Sequence, residues 1–473
     1  MFIGREKEQR KLLQALNSDN SEFIAVYGRR RIGKTFLIRE TYGKEIVFQH
    51  TGLVSGNMKR QLQGFCMSLM DAGVQGKCVA KDWYEAFHLL SQFLSTCRSG
   101  KKVVFLDELP WMDTPRSEFV SALDHFWNGW CSARHDIVLV VCGSATSWII
   151  EKIIKNYGGL HNRITRSLLL LPFTLHECEL YAKAKGLHWS RMQILECYMV
   201  MGGVPHYWSF IDRGESVAQA IDRLFFTENG ELHNEFEALY ASLFRQAEPY
   251  IAIITALASL KSGLSKKEIV NNTGFRENGK LTQMIEALEH CGFIRSYNAI
   301  GKKVKDTLIQ LVDPFSLFFY RFMKGGRMRG DGAWLNAMNS SEYRAWIGIA
   351  FEQVCLLHLP QMKRALGIAG VNTRASSWFI HGDSENDGAQ IDLLIERQDQ
   401  IINICEMKFA RKDFTVTKQY ERELLRKEEL FIQNVKPRQA VHLTLVTTIG
   451  MNENLHSSVF QSEIRLDDLF AEA

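Results

Sequence analysis

Residues 28–35 read Gly-Arg-Arg-Arg-Ile-Gly-Lys-Thr, which fits the spacing GxxxxGK[ST]. A loop of this kind offers one sort of chemistry. Its backbone N–H groups, with the N-terminus of a following helix, can cradle phosphates. Lys34 would reach the β- and γ-phosphates, and the Thr35 hydroxyl would bind Mg²⁺. Gly28, Arg29, Arg30, Arg31, Ile32, Gly33, Lys34 and Thr35 are therefore expected to hold ATP with Mg²⁺. The flanks agree: Phe23–Gly28 is an apolar run that reads as a buried strand, and "TFLIRETYG" reads as a helix. A chance Gly/Lys-rich turn would not require either flank.

A second set of residues completes such a site. The run "KKVVFLDELPWM" (Lys101–Met112) is a buried strand ending in two acids. Asp107 is expected to hold the Mg²⁺ water shell and Glu108 to polarise the attacking water. Acids at a helix N-terminus are also favoured by electrostatics alone, so this box gains its meaning from the loop before it. In "DIVLVVCGSATSW" (Asp136–Trp148), Ser144 and Thr146 lie just past a third apolar run. Ser144 is expected to sense the γ-phosphate; a simple helix cap is the competing reading. In Gly158–Glu177, Arg163 or Arg166 could serve as an arginine finger, in cis or from a neighbouring subunit. The second arrangement would make the chain a homo-oligomer, and a basic exposed loop is the plainer alternative. A Gly-Gly-x-Pro turn in Met201–Trp208 could shape an adenine pocket.

A separate constellation lies near the other end of the chain. Asp392 sits in the strand-like run "AQIDLLIER", and Glu406 and Lys408 sit in "QIINICEMKFA". Adjacent hairpin strands would bring Asp392 and Glu406 to one end of a sheet, and Glu406 and Lys408 share a face by their spacing. Two carboxylates with a backbone carbonyl make a hard-oxygen Mg²⁺ site, and a nearby lysine can stabilise developing phosphate charge. A surface E-x-K on an ordinary strand is the bland alternative.

The elements that must position these groups are legible in outline. The chain has 473 residues, enough for several domains. It is 46% hydrophobic and 23% charged, ordinary for a globular chain, and its net charge of +4 names no partner. Ten cysteines without a C-x-x-C pair suggest neither a zinc ribbon nor a disulfide framework; Cys142 and Cys405 read as reduced core residues. The charged opening is not a signal peptide, no run is long enough to span a membrane, and a cytoplasmic location is expected. Arg5–Leu16 reads as a leading helix. Residues 248–330 change character and hold 13 Lys/Arg against 7 Asp/Glu. There, an apolar helix precedes "SKKEIVNNTG", opened by Ser265 as N-cap. A third helix, "NGKLTQMIEALEHCGFI", and a two-stranded wing around Gly-Lys-Lys follow. This is a winged-helix pattern, with the third helix as recognition helix. Its surplus of positive charge suits a DNA backbone. Candidate contacts are Lys266, Lys267, Arg276, Lys280, Lys302, Lys303 and Lys305. A domain used only for packing is the alternative. Further on, "SSEYRAWIGIAFEQVCLLHL" is an amphipathic helix carrying Glu352, "SSWFI" a short strand, "HGDSENDG" a polar loop and "TKQYERELLRKEELF" the start of a helix.

Five segments, "FIGREKE", "GRRRIGKT", "VVFLDE", "RSLLLLPF" and "GGVPHYW", together resemble the bacterial and archaeal P-loop ATPase family within the AAA+/STAND group, over about residues 1–245. The run "QIDLLIE…ICEMKFA" resembles the PD-(D/E)xK nuclease core, which is the usual C-terminal partner in that family. This resemblance implies that Glu352 occupies the position of the first-helix acid. Ile391 stands where the motif's name has proline, and Gln419 and Tyr420 adjoin each other rather than forming a spaced Gln/Tyr pair.

The expected fold class is α/β with four parts: a P-loop ATPase core over 1–170, its helical lid over 171–245, a winged-helix domain over 246–330 and a nuclease-like α/β domain over 335–473. The expected catalytic groups are Glu108, Glu352, Asp392, Glu406 and Lys408, with Thr35, Asp107, Asp392 and Glu406 as metal ligands. ATP would control the access of DNA to a Mg²⁺-dependent phosphodiesterase site. Two alternatives stand beside this reading: a non-enzymatic nucleotide-dependent DNA-binding or signalling switch with an inactive nuclease-like domain, and an ATPase that acts on protein partners.

Overall fold

The computed structural model describes residues 2–97, 100–144, 146–155, 160, 162–244, 246–300, 307–326, 328, 330–380 and 388–472. The chain divides into two compact units. The first runs to Pro172 and takes in a short stretch from Ser242. The second comprises Phe173–Ala241 and the chain from Gln246 onward.

In the first unit, five strands form a parallel sheet: β1 (Glu22–Tyr27), β2 (Ile46–Thr51), β3 (Lys102–Asp107), β4 (Ile137–Gly143) and β5 (Arg166–Leu169). Their order is β2-β3-β4-β1-β5. The inner strands are near-continuous apolar runs because both faces are covered. Side chains alternate between two cores, as a period of two requires. Phe23 and Ala25 face one with Phe65, Trp83 and Phe87, whereas Ile24 and Val26 face the other with Leu12, Leu37 and Ile38. All strands run the same way. The carboxyl ends of β1, β3 and β4, which carry the phosphate-loop sequence, the two acids and Ser144, therefore share one edge.

The second unit begins with helices Leu175–Lys185 and Arg191–Met201, each opened by a full capping box. These helices fall in the stretch expected as a lid of the ATPase, yet they cluster with the C-terminal half. The cause is visible in their contacts. His358 Nε2 accepts from the Leu175 amide at 2.9 Å, Arg191 pairs with Asp467 and Arg411 with Glu196. The glycines of the Gly-Gly-x-Pro turn are accounted for by the same packing. A Cβ on Gly202 would touch the Pro314 ring, and one on Gly203 would lie 1.9 Å from the Phe173 carbonyl oxygen.

Residues 248–311 form helices Glu248–Leu257, Lys266–Thr273 and Gly279–His290 with three short strands, β6 (Leu264–Ser265), β7 (Ile294–Tyr297) and β8 (Leu308–Leu311), in antiparallel order β6-β8-β7. Ser265 caps its helix through a capping box with Glu268, and Gly274 closes it in a left-handed conformation. The expected wing tip, with Lys302, Lys303 and Lys305, lies outside the described residues. The last sheet holds β9 (Thr373–Ile380), β10 (Ala389–Arg397), β11 (Ile401–Lys408), β12 (Ala440–Thr447) and β13 (Ser462–Arg465), ordered β13-β12-β11-β10-β9. β9 is longer than the five residues the sequence suggests, because the polar Thr373–Ala375 pairs with β10 as well. Most of the loop "HGDSENDG" lies outside the described residues. Helix Lys418–Val435 covers one face of the sheet, with Leu424 and Phe431 packed on Leu394, Ile404 and Leu445.

The Gly203 contact gives a direct test. Gly203→Ala would force a methyl group into a backbone carbonyl, and overpacking of this kind typically costs about 1–3 kcal/mol. The variant should unfold at clearly lower urea concentration; an unchanged midpoint would contradict the close approach.

Candidate functional site

The phosphate-loop sequence leaves β1 at Gly28, whose φ of +141° and contact with the Leu170 carbonyl leave no room for a side chain. Arg31 and Gly33 also take positive φ, and Gly33 starts helix Lys34–Tyr42 with no side chain capping it. The free amides of that helix end suit an anion. Lys34 is buried and its Nζ donates to the carbonyls of Gly28 and Arg29, each at 2.8 Å. The lysine is thus folded back along its own loop. Arg29 and Ile32 are buried and Arg30 is exposed. Arg5 takes a left-handed conformation at the start of the leading helix and donates to the carbonyls of Leu171 at 2.6 Å and Ile32 at 3.5 Å. Nothing in the sequence marks that clasp beyond the position of Arg5 at a helix start.

The two acids meet this loop across the sheet edge. The Thr35 hydroxyl donates to Asp107 Oδ2 at 2.8 Å. Asp107 Oδ1 accepts from the Glu108 amide at 2.9 Å, in a turn where Glu108 has φ +48°. Ser144 meets Glu108 Oε2 twice, through its hydroxyl at 2.9 Å and its amide at 3.2 Å. Ser144 is therefore placed to orient Glu108. Thr35 and Asp107 present hard oxygens to one point, a donor set that fits Mg²⁺. Arg163 is exposed. Arg166 is not a projecting finger: it lies in β5 and pairs with Glu22 at 3.3 Å.

In the second unit, β10 and β11 pair antiparallel with Leu393 opposite Cys405, so Asp392 and Glu406 each lie one residue beyond that pair. They do not share a partner. Glu406 is saturated: Oε1 meets Lys408 Nζ and the Tyr420 hydroxyl, each at 2.9 Å, and Oε2 meets Lys427 Nζ at 2.9 Å. Burial opposes its charge, but Lys427 and Lys408 outweigh burial and bring its pKa down to about 2. Glu352, on helix Ser341–Leu357, instead joins Asp392 through a residue absent from the sequence reading. Lys261 Nζ lies 2.6 Å from Glu352 Oε2 and 3.1 Å from Asp392 Oδ2. Burial and the Asp392 charge raise the Glu352 pKa to about 7 against the pull of Lys261. Burial works against the Lys261 charge, yet the two carboxylates win and its pKa is raised. Among the described residues, no group of three or more His, Cys, Asp or Glu side chains is arranged to hold a metal ion. The cations beside these carboxylates are lysines: Lys261 at Glu352 and Asp392, Lys408 and Lys427 at Glu406.

The sequence gives Lys427 no mention and Tyr420 no role, although a signal for both exists. Tyr420, Leu424, Lys427 and Phe431 follow the helical period and share one face. Tyr420 does reach the E-x-K strand despite adjoining Gln419. In the middle segment, Lys267, Arg276 and Lys280 are exposed, while Lys266 is half-buried and donates to the Thr282 hydroxyl. All ten cysteines are unbridged. Among the described residues, no helix is long and apolar enough to cross a membrane.

Residues 2–209 match a family model described as an ATPase domain predominantly from Archaea. The match runs past the first unit into the helices that cluster with the second. An uncharacterized protein of Methanocaldococcus jannaschii is 25% identical over 445 residues, spanning 91% of this chain and 92% of that protein. Among solved structures, a Walker-type ATPase of Pyrococcus abyssi is 18% identical with a TM-score of 0.47, covering 67% of this chain and 95% of that chain. The ORC2 protein of Aeropyrum pernix is 17% identical with a TM-score of 0.38, covering 71% and 94%. At those values the two structures carry no argument about function. The family match and the phosphate-loop sequence support a P-loop ATPase.

Glu406 provides a pH test. Its folded pKa near 2 lies below the ordinary value of about 4.3. Its contribution to stability is therefore present above about pH 4.3 and is lost as pH falls toward 2. Lys427→Met removes one of the two cations responsible. At neutral pH it should cost about 2 kcal/mol, the usual range for a hydrogen bond to a charged group, and it should shrink the acid-dependent loss. Urea unfolding at pH 7, 5 and 3 reads both effects. Identical pH dependence in the two proteins would mean that Lys427 does not hold the Glu406 charge.

Proposed function

We propose that the chain hydrolyses ATP through Lys34, Thr35, Asp107, Glu108 and Ser144, and uses that turnover to control a DNA-directed phosphodiesterase site at Glu352, Asp392, Glu406 and Lys408. The contact that carries the first half is the 2.8 Å hydrogen bond from Thr35 to Asp107. Thr35 and Asp107 would hold Mg²⁺, which would neutralise phosphate charge. Lys34 would exchange its loop carbonyls for phosphate oxygens, a gain because charge-assisted hydrogen bonds are the stronger kind. Glu108 would hold the attacking water, with Ser144 keeping its carboxylate in place.

The second half rests on what stands side by side near β10 and β11. Glu352 and Asp392 form a cation-holding pair. Lys408 and Lys427, both paired with Glu406, stand beside it as two cations. A phosphodiester brings an anion and its companion cation together, so the two pairs match that class of substrate. The three helices and small antiparallel sheet of residues 248–311 support DNA as the polymer, with the exposed Lys267, Arg276 and Lys280 to meet phosphates. The saturation of Glu406 favours a second reading, a nucleotide-dependent DNA-binding switch that does not cut.

Lys34→Ala should sharply weaken ATP binding in calorimetry, whereas Glu108→Gln should bind ATP and lose turnover. Equal ATP affinity in wild type and Lys34→Ala would overturn the nucleotide site. Plasmid and single-stranded DNA, incubated with protein, ATP and Mg²⁺ or Mn²⁺, should be cut. Asp392→Ala should abolish the cutting and leave ATP hydrolysis intact. Lys408→Ala should slow it about a hundredfold, the usual scale for loss of one electrostatic stabiliser. DNA binding that falls steeply with salt, without cutting under any of these conditions, would favour the switch.

A further inference from the structure

Lys261 sits in the turn that links helix Glu248–Leu257 to β6. That turn is anchored by its backbone. Gln310 Nε2 donates to the Lys261 carbonyl at 2.7 Å, and the Tyr297 hydroxyl donates to the Ser262 carbonyl. Gly263, at φ +79°, lies so close to β8 that a Cβ there would come within 2.4 Å of the Ile309 carbonyl oxygen. A fixed backbone presents the lysine side chain to one place. There its ammonium meets two carboxylates from two other elements, Glu352 from a helix and Asp392 from β10. Two half-buried acids brought to one point repel each other and call for a cation between them. In this structure that cation belongs to the chain itself.

We infer that Lys261 is a built-in occupant of a divalent-cation position and keeps the Glu352–Asp392 site closed until its side chain withdraws. The inference rests on the phosphodiesterase reading for its meaning, but not for its test. Three observations support it. The donor pair is all hard oxygen, as Mg²⁺ or Mn²⁺ prefers. The occupant is a flexible side chain still about one-third exposed (34%), so it can leave along a path open to solvent. A cavity of about 350 Å³ lies against the same turn, lined in part by Leu257, Leu260, Lys261, Trp346 and Gln353, and it gives the displaced side chain room. An ammonium and a divalent ion cannot share one carboxylate pair at these distances. Metal must therefore displace Lys261 to bind, and the affinity for metal is lowered by the cost of that displacement.

The test uses Mn²⁺ alone, titrated into the full chain by calorimetry, in a Thr35→Ala background that removes the phosphate-loop metal ligand. Lys261→Met should bind Mn²⁺ at least ten times more tightly than the parent. Lys261→Arg, which keeps the charge, should stay weak. Adding Asp392→Asn to Lys261→Met should erase the gain. Equal Mn²⁺ affinity in the parent and Lys261→Met, or a gain that survives Asp392→Asn, would overturn the inference. If Lys261→Met does not fold, the parent still answers: Mn²⁺ should raise the acylation rate of Lys261, read by mass spectrometry, and no change would overturn the inference. DNA cutting separates the two claims. Tighter Mn²⁺ binding without cutting by any variant sinks the phosphodiesterase reading and leaves the plug standing. Cutting by wild type that is lost in Lys261→Met, with Mn²⁺ affinity unchanged, makes Lys261 a substrate contact and sinks the plug.

Discussion

A carboxylate taken out of water costs several kcal/mol unless a donor or a cation meets it, and every acid in both candidate sites obeys that constraint in its own way. Asp107 is buried and leans on a hydroxyl and an amide. Glu108 leans on Ser144. Glu406 is held by two lysines and a phenol, Glu352 and Asp392 by one lysine between them. The partners differ in what they leave open. The partners of Asp107 and Glu108 are neutral donors, which leave room for a cation there. Ammonium groups cancel the charge of Glu406 and share that of the other pair. The two sites therefore contrast in their partners: neutral donors at the first, ammonium groups of the chain itself at the second.

This contrast explains how far the sequence could be read. The phosphate loop is contiguous and its conformation is local, since Gly28 and Gly33 take backbone angles that glycine permits. Strand β3 with its two acids and β4 with Ser144 were legible as apolar runs, because inner strands of a parallel sheet are buried on both faces. β2, at the sheet edge, mixes buried and exposed positions and gives no such run. The helix starting at Ser265 was legible from its cap, and so was the order of helices and strands in the middle segment. What could not be read is pairing across distance. Lys261 and Asp392 are 131 residues apart, and nothing in the composition of "SLKSG" marks that lysine out from its basic neighbours. The same holds for Arg191 with Asp467 and His358 with Leu175, the contacts that draw the expected lid helices into the C-terminal unit.

Spacing leaves one place open. The E-x-K pattern predicts that Glu406 is a ligand because an acid two residues from a lysine shares its face. Sharing a face is also what lets the lysine neutralise the acid. Whether Glu406 serves a metal or a pair of lysines is decided by the helix packed over the strand. Residues Tyr420 and Lys427, one face of that helix, supply the decision. Had an apolar side chain stood at 427, Glu406 would carry an uncompensated charge on Oε2 and would attract a cation instead.

The middle segment ties these observations together mechanically. Gln310 on β8 holds the Lys261 carbonyl through Nε2 and accepts from Arg295 of β7 through Oε1. Just past β7, Ala299 bridges to Ser377 of β9, and the Ile300 amide donates to the Ser377 carbonyl, so the small sheet and the C-terminal sheet are joined at a seam. The exposed Lys267, Arg276 and Lys280 stand on or between the two helices that pack on that small sheet. A polymer gripped by those side chains would load the sheet whose residues fix the backbone of Lys261. The ammonium's reach to Glu352 and Asp392 depends on that backbone staying still, because a side chain of fixed length cannot follow a shift of a few ångströms and keep contacts of 2.6 and 3.1 Å. Occupancy of the carboxylate pair therefore depends on the geometry of one short turn: a displacement of that turn away from β10 would free the acids.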